Sequence, residues 1–166
     1  MTVNHATLLK KYLELPVQLE TSIDGLDEEQ LDLTLGTGWS IREYVHHTVE
    51  GELIWQLFLR AIIGTNGIEF PIRWYFAITQ DEWAMRWASG KRELEPTIAL
   101  FKGSTASLAE LLRNVPSEGW KHYGRVTWPG EEKETRLTVQ GIVHMDLRHM
   151  KHHTGDIQAI RTAHHV

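Results

Sequence analysis

WSIREYVHHTVEGELIWQLFLRAIIG, residues 39–64, is the stretch that decides the fold of this chain. Ser40, followed three residues later by Glu43, forms a capping box, which is a sequence signature of a helix N-terminus. Trp39 is placed to cover the first turn of that helix. Apolar residues then recur at three- and four-residue steps until the segment stops near Gly64. The stretch therefore predicts a long helix with one apolar face.

Three further segments have the same helical periodicity. The first covers residues 5–26, in which Pro16 should kink or break the helix because proline lacks a backbone donor. The next covers residues 95–116 and carries Pro96 at an early position, where proline is tolerated. The last covers residues 138–165 in spite of two internal glycines. Four long helices in one chain favour a helical bundle.

Shorter elements connect these helices. DEEQLD, residues 27–32, leads into a polar connection, and residues 79–90 predict a short extra helix. Residues 122–139 place β-branched and aromatic residues on both sides of a Pro-Gly turn, which predicts a small hairpin or an extended excursion before the last helix. We therefore predict an all-α four-helix bundle with these two additions. A chain of 166 residues favours one domain, residues 1–166.

Composition argues against several classes of function. The chain has no cysteine, which excludes disulfides, thiolate ligands and a cysteine nucleophile. Its formal net charge of −5, without a long basic run, argues against a nucleic-acid partner. No apolar run reaches the roughly 18–20 residues needed to span a membrane. The N-terminus has a lysine pair in place of the apolar region of a secretory signal, so we expect a cytoplasmic protein.

The last predicted helix carries four histidines within residues 144–157. His149 and His153 are four residues apart, so their rings lie one turn apart on one face, a separation at which two imidazoles can hold one metal ion. His152, three residues from His149, is the local competitor. Apolar residues at both ends of the stripe predict that it faces the bundle interior. The stripe consists of Ile142, Asp146, His149, His153, Ile157 and Ile160.

Two histidines leave most of a coordination sphere open, and the helix of residues 39–64 offers a third. We favour His47 over His46, because His46 lies on a stripe of more mixed polarity. Gly51, on the stripe of His47, leaves room for a neighbouring helix or a ligand. From the residues alone, a metal site and a set of hydrogen-bonded interior histidines both explain the pattern. No role is assigned to His5, His122, His144, His164 or His165.

Three carboxylates accompany these histidines. Glu50, one turn from His47, and Glu52 are candidate acid–base helpers, although charged residues on a helix are mostly solvent-exposed. Asp146 lies on the histidine stripe, three residues before His149, and is a candidate to orient a ligand histidine through its carboxylate. Glu50 and Asp146 are therefore the predicted catalytic residues.

Two segments resemble the DinB/YfiT-like superfamily of metal-dependent enzymes. GWSIREYVHHTVEGEL, residues 38–53, has the tryptophan–serine helix start of that family, and the position eight residues after the tryptophan is His47. RHMKHHTGDIQAI, residues 148–160, has the late His-x-x-x-His pattern, here His149 and His153. The resemblance covers nearly the whole chain in the length and order of its elements.

The resemblance implies a four-helix bundle of DinB/YfiT-like type that binds one divalent metal ion through His47, His149 and His153. Three neutral imidazoles suit zinc or nickel, and also ferrous iron. Three protein ligands leave at least one position open to water or substrate, as in catalytic sites. One departure from the family is Asp156, where many relatives carry glutamine.

Relatives in this superfamily include enzymes that use low-molecular-weight thiols. Because the chain has no cysteine, any thiol must come from a small cosubstrate. We therefore predict a thiol S-transferase that acts on a small-molecule substrate. A hydrolase that uses a metal-activated water is one alternative. A non-catalytic bundle whose metal is structural, and which forms a homodimer, is the other.

Overall fold

A computed structural model describes residues 5–166. The prediction that the N-terminus carries no secretory signal falls partly on residues 1–4, outside the described residues. The α-helices of the described part are α1 (His5–Leu13), α2 (Leu15–Ile23), α3 (Glu28–Leu31), α4 (Ile41–Thr65), α5 (Gln80–Arg86), α6 (Leu94–Asn114) and α7 (Val139–His164). Two strands, β1 (Tyr123–Val126) and β2 (Thr135–Thr138), lie between α6 and α7.

The predicted four-helix bundle is confirmed, and its first member is a broken helix. α1 ends at Leu13 and α2 begins at Leu15, with Pro16 in the first turn of α2, where its missing donor costs no hydrogen bond. The pair α1–α2 packs against α6 and α7, and α4 packs against the same two helices. α4 therefore lies diagonally across the bundle from α1–α2, and α7 is its direct neighbour.

The capping box at the start of α4 forms as predicted. The backbone amide of Glu43 donates to Ser40 Oγ at 3.2 Å, and the backbone amide of Ser40 donates to Glu43 Oε2 at 2.9 Å. Because the cap determines where α4 begins, it also determines which α4 residues face α7 one and two turns later. The helix continues to Thr65, one residue beyond Gly64, and Asn66 ends it with a φ of 43°.

The DEEQLD segment, which the sequence predicts only to lead into a polar connection, forms the short helix α3. Asp27 caps α3, accepting from the amide of Gln30 at 2.9 Å, while the Gln30 side chain accepts from the amide of Asp27 at 3.0 Å. A four-residue helix is too short to show periodicity, so only this capping pattern marks it. The predicted extra helix is confirmed as α5, but it ends at Arg86 and is followed by a 3-10 turn, Ser89–Lys91.

The predicted hairpin is confirmed as an antiparallel pair, in which Tyr123 faces Thr138 and Val126 faces Thr135. It packs on the C-terminal half of α4. The contact is so close at Gly124 that a Cβ there would lie 2.2 Å from the Phe58 ring. The hairpin leads directly into α7, whose N-cap is Thr138. Among the helices that the structure describes, none is both long and apolar enough to cross a bilayer.

Candidate metal centre

His47 of α4 meets His149 and His153 of α7 where the two helices pack together. One ring nitrogen from each histidine lies within 4.8 Å of the other two. The ring centroids are 4.6 Å apart for His149 and His153, 4.9 Å for His47 and His153, and 5.6 Å for His47 and His149. Two nitrogens on one tetrahedral zinc ion lie about 3.3 Å apart, so small side-chain rotations would bring these rings onto a shared ion.

The neighbouring histidines lie elsewhere. His46 is fully buried on another face of α4, where its Nδ1 lies 2.7 Å from Arg92 Nη2 and 3.0 Å from Thr97 Oγ1. The side chain of His152 is 72% exposed, and its Nε2 lies 3.8 Å from Asp156. His152 and Asp156 also form a second cluster with His153, with ligand atoms within 4.8 Å of one another. His153 is common to both clusters.

Gly51 explains how α7 approaches α4 so closely at this point. A Cβ on Gly51 would lie 3.0 Å from Cε1 of His149, closer than ordinary van der Waals contact. The imidazole of His149 therefore occupies the space that any other residue at position 51 would need. The space that the sequence predicts beside Gly51 is therefore filled by α7, through the His149 ring.

Each of the two α7 histidines contacts a carboxylate through Nδ1. His149 Nδ1 lies 3.0 Å from Glu52 Oε1, and His153 Nδ1 lies 3.0 Å from Asp156 Oδ2. With Nδ1 engaged, Nε2 is the nitrogen left to bind an ion. Both contacts therefore prepare Nε2 for the same role.

Glu52 is the residue that sequence reasoning left among the solvent-exposed carboxylates, and it is fully buried. The sequence does contain a signal for this burial. Glu52 lies on a face of α4 that is otherwise mostly apolar. The members of that face, all buried, are Val45, Val49, Glu52, Gln56 and Leu59. A charged residue on an apolar stripe predicts a buried polar contact.

Neither of the two predicted catalytic residues forms a hydrogen bond with the clustered histidines. Glu50 is half-buried, and its Oε1 accepts from Arg92 Nη1 at 2.7 Å, on the side of α4 where His46 lies. Asp146 is fully buried, and neither of its carboxyl oxygens has a hydrogen-bond partner among the described residues. Within the described chain, the carboxylate in contact with His149 is thus that of Glu52.

Burial keeps the three clustered rings neutral. It lowers the pKa of His47 to about 3, with further lowering from the charges of His153 and His149. It likewise lowers the pKa values of His149 and His153 to about 4. Neutral imidazole is the form that binds a metal ion, so at neutral pH each ring has a nitrogen lone pair available.

An open cavity borders the cluster through Trp39. The indole lies edge-on to His47, with ring centroids 4.6 Å apart, and its Nε1 donates to Asp81 Oδ1 of α5 at 2.7 Å. Trp39 also lines a cavity of about 630 Å³ between the start of α4 and α5. Other residues lining the cavity are Glu43, Asp81, Met85 and Lys91. The extra helix thus forms one wall of a space large enough for a small molecule, and Trp39 lies between this space and His47.

The arrangement of helices and histidines agrees with a comparison to known families. The sequence profile of the DinB superfamily matches residues 13–157. The chain belongs to the DinB superfamily. The resemblance seen in the two histidine segments is therefore confirmed.

Two bacterial relatives, both provisionally named metal-dependent hydrolases, align with most of the chain. The one from Geobacillus thermodenitrificans is 26% identical over 149 residues, which cover 89% of this chain and 79% of its own length. The one from Geobacillus kaustophilus is 29% identical over 148 residues, which cover 89% of this chain and 78% of its own length.

Two solved structures share the fold. YfiT from Bacillus subtilis, described as having an unusual four-helix bundle topology, superposes with a TM-score of 0.81 at 17% identity, covering 98% of this chain and 89% of its own. The mycothiol-dependent maleylpyruvate isomerase superposes with a TM-score of 0.67 at 12% identity, covering 93% of this chain and 61% of its own. At these identities the likeness concerns the fold alone.

Proposed function

We propose that this chain is a metal-dependent enzyme whose divalent ion is held by His47, His149 and His153 and whose substrate is a small molecule. The observation that carries the proposal is the convergence of three neutral imidazoles from two helices. The donor set fits zinc, nickel or ferrous iron, which all accept nitrogen ligands. The names of both Geobacillus relatives point to the same dependence on a metal.

A divalent ion held by three neutral imidazoles supplies Lewis acidity and a net positive charge, which favour the anionic form of a water or thiol ligand. The chain's own residues supply the rest of the site. Glu52 and Asp156 orient His149 and His153, and Trp39 separates His47 from the cavity. Three protein ligands leave at least one position of the ion open, which supports a catalytic rather than a structural ion. None of the three histidines lines the cavity, so a substrate held there would reach the ion past the Trp39 side chain.

Within that function we propose thiol S-transfer, with the sulfur nucleophile supplied by a low-molecular-weight thiol. Three of the four carboxylates near the rings already have partners: Glu52 contacts His149, Asp156 contacts His153, and Glu50 pairs with Arg92. The fourth, Asp146, is fully buried. A thiol, with an ordinary pKa near 8.5, needs less help from a general base than water does. A solved structure of the same fold is that of a mycothiol-dependent enzyme.

Hydrolysis is the second candidate, and the names of the two Geobacillus relatives favour it. The cobalt-substituted protein separates the two reactions. Thiol binding should produce a sulfur-to-metal charge-transfer band when a small thiol is added at millimolar concentration. An unchanged spectrum, together with hydrolysis of an ester or amide, would favour the hydrolase. The predicted homodimer and cytoplasmic location remain predictions.

The ligand set has its own test, which uses the two overlapping histidine clusters. His47→Ala should abolish stable binding of one zinc or nickel ion per chain, measured by elemental analysis after dialysis. His152→Ala should leave it unchanged, because that side chain is 72% exposed and belongs only to the cluster without His47. The reverse result would assign the ion to His152, His153 and Asp156. Failure of the wild-type protein to bind either metal would contradict the proposed function.

A further inference from the structure

We propose that Glu52 is a positioning residue, which from the bundle core fixes the orientation and the protonated nitrogen of the His149 imidazole. The inference deepens the proposed metal site and rests on it for its function. Its first readout nevertheless needs no metal, so the two proposals can fail separately.

Glu52 belongs to a polar group in the middle of the bundle. Tyr12 of α1, Glu52 of α4 and Asp146 of α7 are each fully buried. Burial raises the pKa of all three, and for Tyr12 the charges of Asp146 and Glu52 add to the effect, which shows that the groups lie close enough to interact. Burying carboxyl groups is unfavourable, and an apolar residue at such a position often gives a more stable protein. Fold stability alone therefore does not account for Glu52.

The atoms of this group are unequally engaged. Glu52 Oε2 and both carboxyl oxygens of Asp146 have no hydrogen-bond partner among the described residues. Glu52 Oε1, in contrast, lies 3.0 Å from His149 Nδ1. The directed contact of the group is therefore the one to a histidine of the proposed metal site.

This contact determines which nitrogen of His149 carries the proton. An oxygen that accepts at Nδ1 requires the proton of the neutral ring to be on Nδ1, so that Nε2 keeps its lone pair. Free imidazole side chains have no such constraint. Oε1 can accept in this way whether or not Oε2 carries a proton, so the geometry does not depend on the charge of Glu52.

Gly51 completes the arrangement from the other side. The His149 ring lies over the Gly51 Cα, where a Cβ would come within 3.0 Å of Cε1, while Glu52 contacts Nδ1. Two consecutive residues of α4 thus hold one ring of α7, one by its small size and one by a hydrogen bond. A ring held in this way needs little ordering when an ion binds.

The test is the tautomer of His149 in metal-free protein at pH 7, read from two-bond ¹H–¹⁵N correlation spectra of ¹⁵N-histidine-labelled samples and assigned with His149→Ala. The wild type should show His149 protonated at Nδ1. Glu52→Leu should shift the proton towards Nε2 and weaken zinc binding by about 10–100-fold. Glu50→Gln is the matched control on the same helix and should leave the His149 tautomer unchanged, because Glu50 pairs with Arg92.

Two results would overturn the inference. One is a wild-type His149 protonated at Nε2, which needs no variant and so does not depend on whether Glu52→Leu folds. The other is a folded Glu52→Leu protein with an unchanged His149 tautomer. If the tautomer responds as expected but the wild type takes up no zinc or nickel, the positioning role stands and the proposed metal function fails.

Discussion

His149 and His153 lie one turn apart on the same face of α7, and each contacts a carboxylate at 3.0 Å, but the two carboxylates have opposite surroundings. Glu52 reaches His149 from another helix, and its side chain is 0% exposed. Asp156 reaches His153 from three residues along α7, and its side chain is 31% exposed. Equal distances therefore conceal unequal contacts, since Asp156 is open to water and Glu52 is not, although the His149 side chain is itself 28% exposed and that of His153 12%.

The largest expected effect on zinc binding comes from removing either imidazole ring, and the two losses should be equal. His149→Ala and His153→Ala should each weaken zinc binding by more than about 100-fold, because a lost ligand costs more than the 10–100-fold typical of a lost orienting partner. Competition with a chromophoric chelator measures both constants. Strong binding in the His149→Ala protein alone would mean that the ion uses the cluster of His152, His153 and Asp156.

The second effect should separate the two histidines through their partners. Glu52→Ala should weaken zinc binding by about 10–100-fold, because it removes the oxygen that contacts His149 Nδ1 at 3.0 Å. Asp156→Ala should weaken it by about threefold or less, because water can replace an exposed acceptor. The same chelator competition measures both variants. Equal losses would show that burial does not distinguish the two contacts.

The third effect is a pH dependence of stability in metal-free protein. Burial raises the pKa of Glu52 to about 8, above the ordinary value of 4.5, so the unfolded chain releases this proton first. Above about pH 6.5, where the histidines are neutral in both states, the wild type should therefore lose stability as the pH rises to 8, by at most roughly 1.4 kcal/mol for each pH unit. Urea unfolding at several pH values measures the slope.

Glu52→Gln should reduce this slope, because the amide has no proton to release; the rest of the slope comes from Asp146, whose pKa burial also raises. On the acid side the sign is opposite. The pKa values of His47, His149 and His153 lie at about 3 to 4, below the ordinary 6.5, so stability should fall as the pH drops from 6.5 towards 4 in every variant that keeps them. A Glu52→Gln slope equal to that of the wild type between pH 6.5 and 8 would contradict the assignment.

The smallest effect concerns the space beside His149. Gly51→Ala should move the His149 ring by a few tenths of an ångström and weaken zinc binding several-fold, because the new Cβ would lie 3.0 Å from Cε1. Gly155→Ala is the matched control, since a Cβ there has no neighbour within 4 Å. It should leave binding unchanged and stabilise α7 by about 0.5–1 kcal/mol, measured by urea unfolding. Unchanged zinc binding in the Gly51→Ala protein would mean that α7 can move away from α4 without disturbing the site.

Local patterns in the sequence were enough to predict the bundle and its elements other than α3. The capping box of Ser40 and Glu43 marked the start of α4, and Pro16 marked the break in the first helix. Such features act within a few residues of the chain, where backbone geometry leaves few choices. The four-residue spacing of His149 and His153 placed both rings on one face for the same reason.

The histidine partner of Asp156 follows from local helix geometry, whereas that of Glu52 depends on tertiary packing. Asp156 lies three residues after His153, so their contact is contained in the helical repeat. Glu52 meets a histidine 97 residues away, and this contact exists only because α7, and not α1–α2, packs beside α4. Helical periodicity gives the face of a residue but not the helix that covers it, so Glu52 could be placed in solvent until the packing was known.

The sequence by itself thus determined the helices, their capped starts and the three histidines of the proposed site, because these depend on short-range geometry. Only the tertiary structure decided that Glu52 is buried against His149, that Glu50 pairs with Arg92, and that Trp39 borders a cavity. Those facts depend on which surfaces meet across the bundle. That choice reflects the burial of many apolar side chains together, which no local segment of the chain encodes.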